Sequence, residues 1–452
     1  MNRNLLLKLG AIALLILLLM IPILLIDGVI EERQGLRDQV LQDIARSSSY
    51  SQQLTGPLIV VPYRKTVREW TFDKASQQRV LEEKQLSGRL YFLPESFVLN
   101  GDVSTEVRSR GIYQARLYHA NSAISGHFEL PQQLGISEDF ADYRFDQPLL
   151  AFGISDIRGI GNALKLRLNG QSLNFQPGTQ VSLLGNGVHA PLPVLDGLAP
   201  VRLDYAFDLN LQGSEQLNIT PVGRDSQVAL KSAWPHPSFS GEFLPVEREI
   251  GAQGFTARWQ TSFFATNLEE ALQECVDSQA CAAFGDRTFG VSFIDPVDQY
   301  LKSDRAIKYA LLFIALTFAG FFLFEVLKRL AVHPIQYGLV GLSLALFYLL
   351  LLSLAEHLGF GLAYGLSAGA CVLLIGFYVS HVLHSWARGL GFTTALAALY
   401  GLLYGLLSAE DYALLMGSLL VFGLLSCVMV LTRKLDWYGI GKADGAASDP
   451  SV

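Results

Sequence analysis

The sequence predicts an α+β membrane protein: an N-terminal transmembrane helix, a large, mainly antiparallel β domain outside the membrane, and a C-terminal bundle of five transmembrane helices. Three observations predict it. Apolar stretches long enough to cross a bilayer lie near the N-terminus and, almost continuously, over residues 309–432. Residues 27–305 between them read as ordinary polar globular sequence. Within that segment apolar and polar residues alternate, the period of strands with one buried and one wet face.

Composition agrees. Half of the 452 residues are apolar and 17% are charged, against about 25% in soluble proteins. Mean hydropathy is +0.32. The net charge of −7 argues against nucleic acid as a partner, because phosphate binding wants a basic face. Collagen, disorder and coiled coil are excluded for the whole chain.

The first element is an anchor within residues 1–27. Residues 9–26 carry no charge and follow Arg3 and Lys8. A cleaved signal peptide has a shorter apolar run and a small-x-small cleavage site. This run continues instead into Asp27-Gly28-Val29-Ile30-Glu31. Pro22 lies near its outer end, where a kink is expected. Val29, Ile30, Leu36, Val40, Leu41 and Ile44 then recur at helical spacing, predicting a juxtamembrane helix over about 28–46 that ends at Ser47-Ser48-Ser49.

The β domain is expected over residues 28–304. Leu203, Tyr205, Phe207, Leu209 and Leu211 alternate with polar residues, as do Leu164, Leu166 and Leu168, then Phe255, Ala257 and Trp259, then Phe289, Val291 and Phe293. The clusters Leu99-Asn100-Gly101-Asp102, Asn169-Gly170, Gln176-Pro177-Gly178 and Gly185-Asn186-Gly187 read as turns between strands. A sandwich or a long curled sheet fits. A short helix is expected around 267–275.

Five membrane spans follow within 305–433: about 306–327, 335–355, 358–380, 389–409 and 412–432, each 21 to 23 residues. The breaks carry the charges. Lys328-Arg329, Arg388 and Arg433-Lys434 fall on the side of the N-terminus, whereas Glu356-His357 and Glu410-Asp411 fall on the other. Basic loops favour the cytoplasm. Both termini and the tail 434–452 are therefore expected there, and the β domain in the periplasm of a multi-pass inner-membrane protein.

Candidate chemistry is sparse. There is no Gly-rich phosphate loop, His-Glu-x-x-His or Gly-x-Ser-x-Gly, so no catalytic, cofactor-binding or metal residue is assigned and no cofactor is expected. Cys275 and Cys281 form a candidate disulfide if their side is oxidising; two free thiols are the other reading. No further Cys or paired His nearby suggests zinc. Cys371 and Cys427 read as packing residues inside spans. Gly361, Gly365 and Gly369, with Gly401 and Gly405, recur every fourth residue and read as helix-packing faces. Ser155 to Gly161 reads as a glycine turn holding an Asp156–Arg158 ion pair. Prolines pre-order Trp234-Pro235-His236-Pro237-Ser238-Phe239, so Trp234, His236 and Phe239 make a candidate contact loop. Glu325 is expected to pair with Lys328 or Arg329, and Glu356 to reach water. His381 and His384 share a helix face without a third ligand. No span carries a charge near its midpoint, which argues against ion-coupled transport.

Taken together, Thr55 to Pro62, Phe92 to Ser96, Arg110 to Tyr113, Asp156 to Ile160, Gly187 to Pro193, Trp234 to Phe239, Asp298 to Tyr300, His333 to Gly341 and Leu435 to Tyr438 make a pattern that resembles the CreD family of bacterial inner-membrane, cell-envelope integrity proteins. The resemblance covers nearly the whole chain. It implies an anchor, a periplasmic domain and a helical bundle in a Gram-negative inner membrane. It further implies production under two-component regulation of the CreB/CreC type in envelope stress. It brings no catalytic residues. The Cys275–Cys281 stretch departs from the family pattern, and the tail after Tyr438 lies outside it. The expected role is non-enzymatic support of the envelope. Its partners would be the lipid bilayer and an unidentified periplasmic or envelope component; a homo-oligomer stays open. The rival reading is a transporter or lipid-handling protein with a periplasmic β domain.

Overall fold

A computed structural model of the chain describes residues 3–73, 78–137, 139–195, 197–278, 281–293, 299–328, 332–383, 385–408 and 413–433. Chain contacts divide it into two units, one of residues 1–38 with 297–452 and one of residues 39–296. His384, Arg329, the Glu410-Asp411 break and residues 434–452 lie outside the described residues, as do the side chains of Lys328 and Cys427.

The N-terminal helix runs unbroken from Arg3 to Ser47, through Pro22, so anchor and juxtamembrane helix are one element. Its residues from Gln39 onward belong to the second unit. It ends where expected: Ser47 and Ser48 hydroxyls donate back to the Ile44 carbonyl, satisfying a last-turn acceptor.

The second unit is a sandwich of two sheets. The first runs in the order Ser238–Gly241, Phe289–Ser292, Gln216–Thr220, Gln52–Asp73, Leu149–Ile154, Gly187–Pro191, Gln176–Pro177. Gln78–Phe92 and Tyr143–Phe145 also pair with Gln52–Asp73. The second runs Glu247–Gly251, Gly254–Ser262, Asp225–Ser232, Ser96–Arg110, Tyr113–Leu130, Val201–Ser214, Lys165–Leu168, Gln171–Asn174. Pairing is antiparallel except for Gln52 to Thr55 against Leu217 to Thr220 and Ser96 to Val103 against Asp225 to Ser232. The alternating residues of Val201–Ser214 all point into the core. There Phe207 meets Phe152 of the facing sheet edge-on at 5.1 Å, and Trp259 stacks on Phe289 at 5.2 Å. Burying such rings contributes roughly 1.5–3 kcal/mol each. Asn169-Gly170 is a two-residue hairpin turn with φ of 48° and 84°, both positive, as such a turn requires.

Two turn expectations fail, one of them in part: Gln176 and Pro177 form an edge strand paired with His189 and Val188, and only Gly178 turns there. Leu99 to Asp102 lies inside the strand Ser96–Arg110. A Cβ on Gly101 would stand 2.7 Å from Leu230 of the parallel neighbour. The glycine makes room for that leucine; it does not turn the chain. The expected short helix is Leu268–Ser278, with Leu268, Ala271, Leu272 and Cys275 inward.

In the first unit, Gln299–Lys308 and Ala310–Lys328 are consecutive helices bent by 46°. The expected span began at 306, but the polar turn through Lys308, which pairs with Asp304, belongs to the preceding helix. Pro334–Leu358 follows, started by a capping box in which the His333 ring accepts from the Ile335 amide and Gln336 from the His333 amide. Gly359, at φ 76°, separates it from Phe360–Val382 by one residue. Trp386–Ser408 and Ala413–Thr432 complete the unit. Among the described residues four helices are long and apolar enough to cross a membrane, five with the bent pair counted as one span.

Candidate binding site

The Ser155 to Gly161 turn closes a polar joint inside the second unit. Asp156 is nearly buried. Both its oxygens are held by the Arg158 guanidinium, at 2.6 and 2.9 Å. They also accept the backbone amides of Tyr50 and Arg158. The remaining arm of Arg158 donates to the Arg46 carbonyl at 2.7 Å, capping the last turn of the N-terminal helix. The Gln52 side chain donates to the Asp156 and Gln212 carbonyls and accepts the Asp156 amide. A Cβ on Gly159 would strike the Gln212 carbonyl and the Gln52 amide, so this position needs glycine. The Arg158 hydrogen bonds hold the Asp156 carboxyl below the usual carboxylate range, against the opposing effect of its burial. Every group here has a partner, so the joint holds structure and offers no free ligand-binding atom.

The Trp234 to Phe239 loop is turned inward. Trp234 is buried, its ring faces the Arg116 guanidinium at 3.8 Å, and its Nε1 donates to the His236 carbonyl. Phe239 packs edge-on against Phe255 and Trp259. Of the loop, His236 and Ser238 are exposed. The aromatic area expected for contact is used inside the core. Cys275 and Cys281 are joined as a disulfide at the end of the Leu268–Ser278 helix.

The glycine faces are also turned away from their expected role. A Cβ on Gly365, Gly369 or Gly401 would meet nothing within 4 Å, one on Gly361 only the Tyr404 hydroxyl at 3.6 Å, and one on Gly405 only Met416 at 3.7 Å. Their neighbours Ala363, Tyr364, Ser367 and Cys371 face inward instead. Tyr364 donates to the Tyr400 carbonyl and Tyr400 to the Cys371 sulfur, so tyrosines fill the gap between helices. The close approaches fall at Gly341, against Leu19 and Phe318; at Gly376, against Thr393; and at Gly389, against the Ser380 backbone at 2.6 Å.

Two acids have partners the sequence did not suggest. Glu325 is buried and takes Lys8, the Tyr337 hydroxyl at 2.8 Å and the Val332 amide at 3.1 Å. Glu356 is turned inward to the Tyr300 hydroxyl at 3.1 Å and Arg33 at 3.7 Å. His381 is exposed, its Nδ1 on the Phe377 carbonyl. Among the described residues no three His, Cys, Asp or Glu are placed to hold a metal.

An open trough of about 760 Å³ lies on the solvent face of the second sheet. Its floor is Ala123 and Ala229, which flank Asn100 in adjacent strands. Beside that row runs a polar one of Lys231, Asp102, Asn121 and Asn210. Lys231 pairs with Asp102 at 2.9 Å, and Arg258 with Glu247 at 2.7 Å, at the wall made by the Glu247–Gly251 strand. Among the described residues the side-chain amides of Asn100, Asn121 and Asn210 have no hydrogen-bond partner, although the Asn210 backbone amide donates to Asn162. A second cavity of about 590 Å³ shares Asp102, Lys231, Glu249 and Thr256 with the trough and lengthens it. Sequence reasoning missed these residues. Their only signal is their place as the wet half of alternating strands.

Comparison with known proteins gives one consistent result. The family model described as inner membrane protein CreD matches residues 4–438. The inner membrane protein CreD of Escherichia coli (strain K12) is 40% identical over 426 residues, which cover 94% of this chain and 91% of that protein. With a match across anchor, sandwich and bundle alike, the chain belongs to the CreD family of inner membrane proteins.

Proposed function

We propose that this inner-membrane protein supports cell-envelope integrity under stress. Its β domain, placed in the periplasm, binds an envelope component, and the helical bundle keeps that domain at the membrane. It acts by binding and not by turnover. The observation that carries this reading is the trough: an extended polar concavity with a small-residue floor and unpartnered amides on one side. Such amides both donate and accept, which suits an elongated polar ligand more than a reaction centre. The joint at Asp156 supports the same reading, because a domain that resists displacement needs a firm attachment to its helix.

The test is complementation of envelope sensitivity in cells lacking the gene. Asn121→Trp, which fills the trough from an exposed position, should abolish rescue in a stably inserted protein, as should deletion of residues 50–300. Alanine at His236 or His381 should leave rescue intact. Full rescue by Asn121→Trp removes the trough from the reading. Loss of rescue by either histidine change in stable protein points to a reaction centre and sinks the binding reading.

A further inference from the structure

The trough runs across the strands, not along them. The strand registers align one row of side chains over six neighbouring strands of the second sheet: Glu249, Thr256, Lys231, Asp102, Asn121 and Asn210. All six are polar and exposed, and all line the trough. Neighbouring strands stand about 4.8 Å apart, so the row is roughly 24 Å long. Two residues along each strand a second row runs beside it, in which Arg258, Ala229, Asn100 and Ala123 are neighbours in the same way.

The charges of this track cancel. The carboxylates Asp102, Asp208, Glu247 and Glu249 are matched in number by Lys231, Arg248 and Arg258, with Arg167 beside them. Three of the four carboxylates hold a cation: Asp102 takes Lys231 at 2.9 Å, Glu247 takes Arg258 at 2.7 Å and Asp208 takes Arg167 at 3.5 Å. A paired carboxylate keeps lone pairs that accept, and a paired Lys or Arg keeps N–H groups that donate. The side-chain amides of Asn100, Asn121 and Asn210 add both functions without charge. Donors and acceptors therefore stand side by side along the track with no net charge, next to a floor of two alanine methyls.

We propose that the track binds a linear, uncharged glycan laid across the strands, its hydroxyls on the polar row and its ring faces on Ala123 and Ala229. A sugar hydroxyl donates and accepts at once, as the side chains of this row do together. A polyanion would call for an excess of basic residues, and here the balance is even. An extended peptide is taken up at a sheet edge, where backbone groups are free, and seats alternate side chains in pockets. Five of the six strands under the track are paired on both sides, and its floor is two methyl groups. The proposal names the ligand class for the trough and rests on the reading that the β domain acts by binding there.

The experiment is calorimetric titration of the full chain in nanodiscs with chitohexaose and with cellohexaose, linear uncharged glycans that differ in their acetamido groups. At least one should bind saturably, and its disaccharide should bind roughly tenfold more weakly or worse, because it reaches only part of the row. Asn121→Ala with Asn210→Ala, both at exposed positions, should weaken hexaose binding by roughly tenfold or more while the melting temperature stays unchanged. The proposal is overturned if neither hexaose binds, if the disaccharide binds equally well, or if the paired alanine changes leave binding intact. Tighter binding of dextran sulfate overturns the uncharged ligand, and tighter binding of a Ser-Gly repeat peptide overturns the glycan. Titration is read without complementation. If Asn121→Trp loses rescue but no glycan binds, the glycan falls and the trough stands. If a glycan binds but Asn121→Trp rescues fully, the site stands and its part in envelope support falls.

Discussion

Asp156 is nearly buried and yet charged, because Arg158 grips both of its oxygens and two backbone amides point at them. Its folded pKa lies below the unfolded value of about 3.9, so its stabilisation is present above that pH and is lost as pH falls through the folded value. Asp156→Asn should therefore lower the melting temperature of the purified protein at neutral pH. The expected loss is about 1–2 kcal/mol, discounted for the half-exposed Arg158. The gap between parent and variant should close on acidification below about pH 4. A gap that persists at low pH means that the side chain acts through packing alone. The pair was legible because its members stand two residues apart. Lys8 with Glu325 was not, since 317 residues separate them and no local pattern records which helices become neighbours.

Alternation told most at the level of strands and spans. Val201–Ser214 could be read because burial of one face forces a period of two, and the membrane helices because a bilayer demands length. Glycines were the failure. Gly101 looked like a turn, since its local sequence cannot show that Leu230 arrives beside it. The every-fourth glycines looked like contacts, although in Phe360–Val382 the inward face belongs to Phe360, Ala363, Tyr364 and Ser367. Leucine at Gly389 should destabilise the bundle by roughly 1–3 kcal/mol, the cost of overpacking in soluble cores. Leucine at Gly365 or Gly401 should leave detergent melting unchanged. Equal losses at all three positions would show that the open faces are covered in the protein as purified.

For the molecule as a whole, membrane orientation is the property with the widest consequences. The proposed orientation, with both termini cytoplasmic, predicts that alkaline phosphatase fused at Gly101 or Gly213 is active and fused after Tyr438 inactive. An active C-terminal fusion would mean that the bent pair Gln299–Lys308 and Ala310–Lys328 is no single span, or that another span is miscounted. Charge placement is the whole argument for this topology. It gave no hint of the trough, whose asparagines come from three strands and meet only after the sheet has formed.

The order of strands also governs time. Gln52 pairs in parallel with Leu217, 165 residues later, and Phe289–Ser292, the last strand among the described residues, lies inside the first sheet between Gln216–Thr220 and Ser238–Gly241. The first sheet cannot close until residue 292 has been delivered. At synthesis rates of about 5–20 residues per second the early strands wait on the order of 10–50 s with their apolar faces unmatched, and such late, non-local pairing folds slowly. A chain cut before residue 289 is therefore expected to leave the Gln216–Thr220 edge of the first sheet unpaired and more prone to aggregate than the full chain.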